Sequence, residues 1–99
     1  MEDDKNKENV MAKIKIEKPD QGKLTALGVK TWSPWGCEVS TFDWEYDSDE
    51  VCYILEGKVK VKTPEEEVEI NKGDLVTFPK GLKCTWNVTQ PVKKVYTFK

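Results

Sequence analysis

The chain has 99 residues with a formal net charge of −2, contains no His, and draws all sixteen of its basic residues from Lys. One domain is the natural reading at this length. The absence of His removes the commonest general base and metal ligand, and the absence of Arg removes bidentate recognition of phosphate, carboxylate or guanine. The acidic balance gives no basic face for nucleic acid, and no apolar run is long enough for a membrane helix.

Residues 1–12 (MEDDKNKENVMA) are polar and nearly free of apolar side chains, and are expected to form a disordered tail, with Met11 as an alternative start. Order is expected from Lys13, with a single domain over residues 13–99. Ile14 and Ile16 alternate with charged neighbours as in a short strand. Asp20 can cap a short helix through Leu24 and Leu27, with Gly28 as its left-handed stop. The segment VKTWSPWG, residues 29–36, reads as irregular chain pinned by Trp32 and Trp35 at one end of the fold.

From Cys37 onward the hydrophobic period is two. Cys37–Trp44 is strand-like, Asp47-Ser48-Asp49 a turn, and Glu50–Leu55 a β-rich run that Gly57 is expected to break. Lys58–Lys62 alternates around Val59 and Val61. A turn over Thr63–Glu66 leads to Val68 and Ile70, and Asn71-Lys72-Gly73-Asp74 is a second tight turn. Leu75–Phe78 ends at Pro79. Lys83–Val88 sets Cys84, Trp86 and Val88 on one face, and Val92–Phe98 closes the chain. Short strands at regular spacing with turn signals predict an all-β sandwich or barrel.

Glu50 is followed after six residues by Gly57, and Gly73 after five residues by Pro79-Lys80-Gly81. These spacings resemble the two motifs of the cupin superfamily. The phrases CYILEGKVKV and GDLVTFPKGLKCTW resemble a subgroup of small single-domain cupins related to the cupin part of ureidoglycine aminohydrolases. The resemblance implies an antiparallel jelly-roll barrel with an interior pocket, to which the capped segment near Asp20–Leu27 adds one short N-terminal helix. It also places Trp44 and Tyr46 where the family's first motif carries two His, and Cys84 where the second carries one. Of the family's four usual metal ligands only Glu50 has its counterpart. No metal and no cofactor are therefore expected, and the aminohydrolase activity is not carried over.

The expected site is an inward group of Trp44, Tyr46, Glu50, Cys84 and Trp86 binding a small neutral or cationic organic ligand through aromatic surface and a carboxylate. Tyr46 is a natural hydrogen-bond donor to Glu50. An enzymatic variant uses Glu50 as acid or base and Cys84 as nucleophile. Two alternatives stand beside it: a structural or dimerisation module with a filled core, and a soft-metal site of Cys84, Glu50 and Cys52. With no Arg, and no Lys between Lys30 and Lys58, Glu50 is expected to lack a cationic partner and to favour its neutral form.

The charge is uneven. From Thr31 to Gly57 there are seven acids and no Lys, whereas after Asp74 there are five Lys and no acid. Together with unpaired strand edges, that asymmetry leads us to expect a homodimer. Three Cys without C-x-x-C spacing, and no visible signal peptide, point to a reducing, cytoplasmic compartment.

Overall fold

A computed structural model describes residues 13–99; the expected tail over residues 1–12 lies outside the described residues. Among the described residues there are seven antiparallel strands: β1 (Lys15–Glu17), β2 (Ser33–Cys37), β3 (Ser40–Glu45), β4 (Glu50–Lys62), β5 (Glu67–Asn71), β6 (Leu75–Phe78) and β7 (Lys83–Phe98). The short helix α1 (Gln21–Leu27) lies between β1 and β2. Its ends follow the local chemistry read from the sequence. The Asp20 side chain accepts from the Lys23 backbone N–H, and Gly28 closes the helix at φ 71°.

The long strands β4 and β7 organise the molecule because each serves two pairings. The first half of β4 lies between β6 and the second half of β7, which also pairs with β2. The second half of β4 lies between β5 and the first half of β7, which also pairs with β3. The order β1-β6-β4-β7-β2 thus folds over onto β5-β4-β7-β3, giving an all-β jelly roll.

Both long strands bend where they cross. The β4–β7 register shifts between Ile54 and Val59, and Gly57 sits there at φ 100°. A Cβ on Gly57 would lie 2.2 Å from the Pro91 carbonyl oxygen and 2.7 Å from the Val92 Cα. Gly57 therefore does not end a strand, as its residue type suggested. It lets one continuous strand bend against its neighbour's backbone.

Residues 29–36 also differ from expectation. After a single 3₁₀ turn over Val29–Thr31, the chain pairs with β7 from Ser33 to Cys37, with Pro34 opposite Val95. Proline is compatible here because, among the described residues, β2 ends the order and its outer edge has no ladder to donate to.

The core is continuous along the interior. Val59, Val61, Ile70 and Val88 are fully buried at one end, while Cys52, Val76, Phe78 and Val92 carry the packing onward. No helix among the described residues is long and apolar enough to cross a membrane. Cys37, Cys52 and Cys84 are free thiols.

Candidate functional site

A cavity of about 180 Å³ opens between the two halves of the fold. Its walls are aromatic: Trp35 from β2, Phe42 and Trp44 from β3, Tyr46 beyond it, and Trp86, Tyr96 and Phe98 from β7. The polar atoms come from Glu50 and Lys94. Trp44 and Phe98 are each more than half exposed and mark the mouth.

Local structure fixes each wall. Tyr46 follows β3, yet its backbone is held on both sides: its N–H donates to the Leu82 carbonyl at 2.9 Å, and its carbonyl accepts from the Gly81 N–H at 2.6 Å. Its ring stacks on Phe78 with centroids 4.6 Å apart. Trp86 is the hub. It stacks on Phe42, meets Trp35 edge-on at 5.8 Å, and touches Phe78. The register explains the grouping, since Phe42 faces Trp86 across β3–β7 and Trp35 faces Lys94 across β2–β7.

The centre of the cavity is an ion pair. Lys94 Nζ donates to Glu50 Oε2 at 2.7 Å, and both side chains are more than 90% buried. The ammonium also lies 5.0 Å from the Trp35 ring centroid, 4.9 Å from that of Trp86 and 5.6 Å from that of Tyr96. Each such contact contributes up to about 2 kcal/mol when desolvated, so the rings offset part of the cost of taking a Lys out of water. The expectation that Glu50 lacks a cationic partner is thereby corrected. Its carboxylate accepts from Lys94, not from Tyr46.

Lys94 had no place in the sequence-based site. Its neighbour Lys93 is exposed, and a pair of lysines near a C-terminus reads as solvated surface. The signal was parity: Val92, Lys94, Tyr96 and Phe98 share one face of β7, and Val92 is in the core. In the β4–β7 register Phe98 faces Glu50 and Lys94 faces Ile54, four residues along, or about 13 Å at strand rise. Only a long, flexible stem lying along apolar surface closes that gap.

The structure thus brings Trp44, Tyr46, Glu50 and Trp86 to one cavity and adds Lys94. Cys84 is placed differently. It is buried, but it borders a separate open depression with Asp43, Lys62, Thr63 and Lys83. Burial pushes its thiol up to about 11, and that of Cys52 up to about 12. Both are neutral at pH 7 and weak nucleophiles. Burial, followed by the Glu50 carboxylate, likewise raises the Tyr46 phenol, which stays protonated. One buried donor is orphaned: among the described residues, the Trp86 Nε1–H has no hydrogen-bond partner.

These residues do not fit a cupin metal centre. The Glu50 carboxylate is committed to an ammonium, the thiol at the third position is held neutral, and two indoles and a phenol line the remainder. No group of three His, Cys, Asp or Glu able to hold an ion occurs among the described residues.

Comparison with known proteins accords with this architecture. The model of the EutQ-like cupin domain matches residues 24–96. The crystal structure of a DUF861 family protein from Thermotoga maritima superposes with a TM-score of 0.86 at 56% identity, over 88% of this chain and 100% of that one. Among curated proteins, acetate kinase EutQ of Escherichia coli is 30% identical over 77 residues, 78% of this chain and 31% of that protein. Its counterpart from Clostridioides difficile is 30% identical over 57 residues, 58% of this chain and 36% of that protein. The chain spans about a third of the length of these curated relatives.

Proposed function

The chain belongs to the family of EutQ-like cupin domains, and from that premise we propose that its barrel binds a small, neutral organic ligand with a flat or apolar body, without a metal ion. The observation that carries this reading is the cavity of about 180 Å³ whose aromatic walls surround the Glu50–Lys94 pair. Cavities of about 150 Å³ hold a benzene ring, so a single ring with one polar substituent suits the size. Stability alone is a poor reason to keep such a pair, because well-packed hydrophobic residues commonly serve as well or better.

The polar atoms favour a neutral guest. Lys94 already balances Glu50, so a cationic ligand would meet a like charge at close range. An N–H of the guest could donate to the Glu50 oxygen that Lys94 leaves free. Trp44 and Tyr46 supply stacking surface. Cys84 shapes the wall behind Trp44 and takes no part in covalent chemistry at neutral pH.

Thermal shift with benzamide and benzylamine tests the reading. Benzamide at about 100 times its Kd stabilises the wild type by about 2.7 kcal/mol, and benzylamine is weaker. No shift with either, or equal shifts in wild type and Trp86→Leu, would contradict it.

A second reading is favoured by β3, whose outer edge is unpaired among the described residues, with Val39 before it and Trp44 within it exposed. It is a homodimer formed through that edge, in a reducing compartment that keeps the three thiols free. Light scattering at micromolar protein distinguishes the dimer from the monomer.

A further inference from the structure

We infer that Lys94 is a carbonyl-reactive amine, and that the cavity captures small aldehydes or ketones as a protonated imine on its Nζ. The inference deepens the ligand-site reading above and rests on it. Three observations meet at this atom. Nζ is in a cavity rather than on the surface, it is 2.7 Å from a buried carboxylate, and three rings face it at 4.9–5.6 Å.

The chemistry follows from charge. Lysine in an apolar pocket is a recurrent imine-forming nucleophile, provided that a neighbouring group can take its proton. The Glu50 carboxylate is within that reach. It accepts a proton from the Lys94 ammonium, freeing the nitrogen lone pair. The lone pair forms a C–N bond to the carbonyl carbon while the C=O π pair moves to oxygen. A proton passes from nitrogen to that oxygen and completes the carbinolamine. Glu50 then returns its proton to the hydroxyl, the C–O bond breaks, water leaves, and the nitrogen lone pair closes C=N. In sum, an ammonium and a carbonyl give an iminium and water. No oxidant, reductant or metal is needed.

The nitrogen is cationic before and after that exchange. The rings of Trp35, Trp86 and Tyr96 and the Glu50 carboxylate that hold the ammonium equally suit the iminium. Lys15, Lys18, Lys23 and Lys58 also pair with carboxylates, but their side chains are exposed: their imines form in bulk water, which returns them to the amine. The aromatic walls disfavour that back reaction by keeping water out. They also select carbonyl compounds with a flat or apolar body.

The test is reductive trapping of the 99-residue chain with benzaldehyde and cyanoborohydride, with peptide mass mapping of every lysine. Lys94 is expected to acquire the benzyl group at least about tenfold faster than the mean of the other lysines, as an oriented proton acceptor beside the amine should allow. The selectivity should vanish in concentrated urea. Glu50→Gln should slow labelling of Lys94 about tenfold or more and leave the surface lysines unchanged. If that variant fails to fold, the native-to-urea ratio in the wild type decides alone. Benzyl alcohol, which can bind but cannot condense, separates the two levels of the account. Stabilisation by benzyl alcohol with Lys94 labelled no faster than its peers overturns the imine and keeps the cavity. Neither stabilisation nor selective labelling overturns both.

Discussion

The two ends of the barrel are built by the same two strands and come out differently. At one end, the second half of β4 and the first half of β7 meet β5 through Val59, Val61, Ile70 and Val88, all fully buried. At the other, the first half of β4 and the second half of β7 carry Glu50 and Lys94 on the inward face, and rings from both halves, Trp86 among them, leave about 180 Å³ open. Both ends obey one alternation. β-Branched side chains of similar size fill the first, as small barrels are commonly filled. Large flat rings around an ion pair cannot close the second. The pattern therefore decides which residues face inward, and side-chain shape and charge decide whether the interior becomes a core or a site.

The largest expected effect strikes the bend joining the ends. Gly57→Ala puts a Cβ 2.2 Å from the Pro91 carbonyl oxygen at a φ of 100°. Backbone faces it, so no side chain can swing aside. A loss above about 4 kcal/mol in urea denaturation is expected. A mild variant would show that β4 and β7 are not locked together there.

Next comes the ion pair, which divides the ends by sign. Lys94→Met leaves Glu50 buried without its cation and should cost about 3–5 kcal/mol. Adding Glu50→Gln removes the orphaned charge and should recover much of that loss. Strictly additive effects of Glu50→Gln and Lys94→Met would mean that the two groups do not interact. A comparable aliphatic truncation at the filled end, Val59→Ala, has no partner substitution that could rescue it.

The smallest effect is a pH dependence. Cys52 and Cys84 ionise near 9 in an unperturbed setting, and burial raises them to about 12 and about 11. Above pH 9 the unfolded chain loses these protons while the folded chain keeps them. Their contribution is whole below pH 9 and is lost as the pH rises toward 11 and 12. Thermal melts from pH 8 to pH 10.5 should show a falling Tm, less steep in Cys52→Ala/Cys84→Ala. An unchanged slope in that variant would mean that the thiols titrate alike in both states.

Much of this was legible in the sequence because it is local. Asp20 and Gly28 bracket α1, Thr63–Glu66 and Asn71–Asp74 turn where their side chains cap the backbone, and Val59, Val61 and Val88 declare their face by alternation. The misreadings share a different cause. Gly57 and Pro34 are ordinary strand breakers. Here one sits where two backbones touch and the other where an edge has no partner, conditions set by residues far along the chain. Four of the five expected site residues gather at the cavity. Cys84 has the right parity but lies farther along β7, beside Trp44 rather than beside Glu50. Lys94 escaped because two adjacent lysines suggest solvent, although alternation requires one of them to face inward. Its pairing with Glu50 spans 44 residues of sequence, and no periodicity encodes that.

The central claim is that the cavity around Glu50 and Lys94 receives a ligand, and the Trp86 indole N–H reports on it most directly because the Trp86 ring lines the cavity and its N–H is resolvable by NMR. Titrating labelled protein with benzamide should shift the Trp86 Nε1–H resonance, together with the Trp35 and Tyr46 signals, and leave the amides of Val59 and Ile70 in place. An indole resonance that stays fixed at saturating benzamide, or shifts confined to the filled end, would contradict the account.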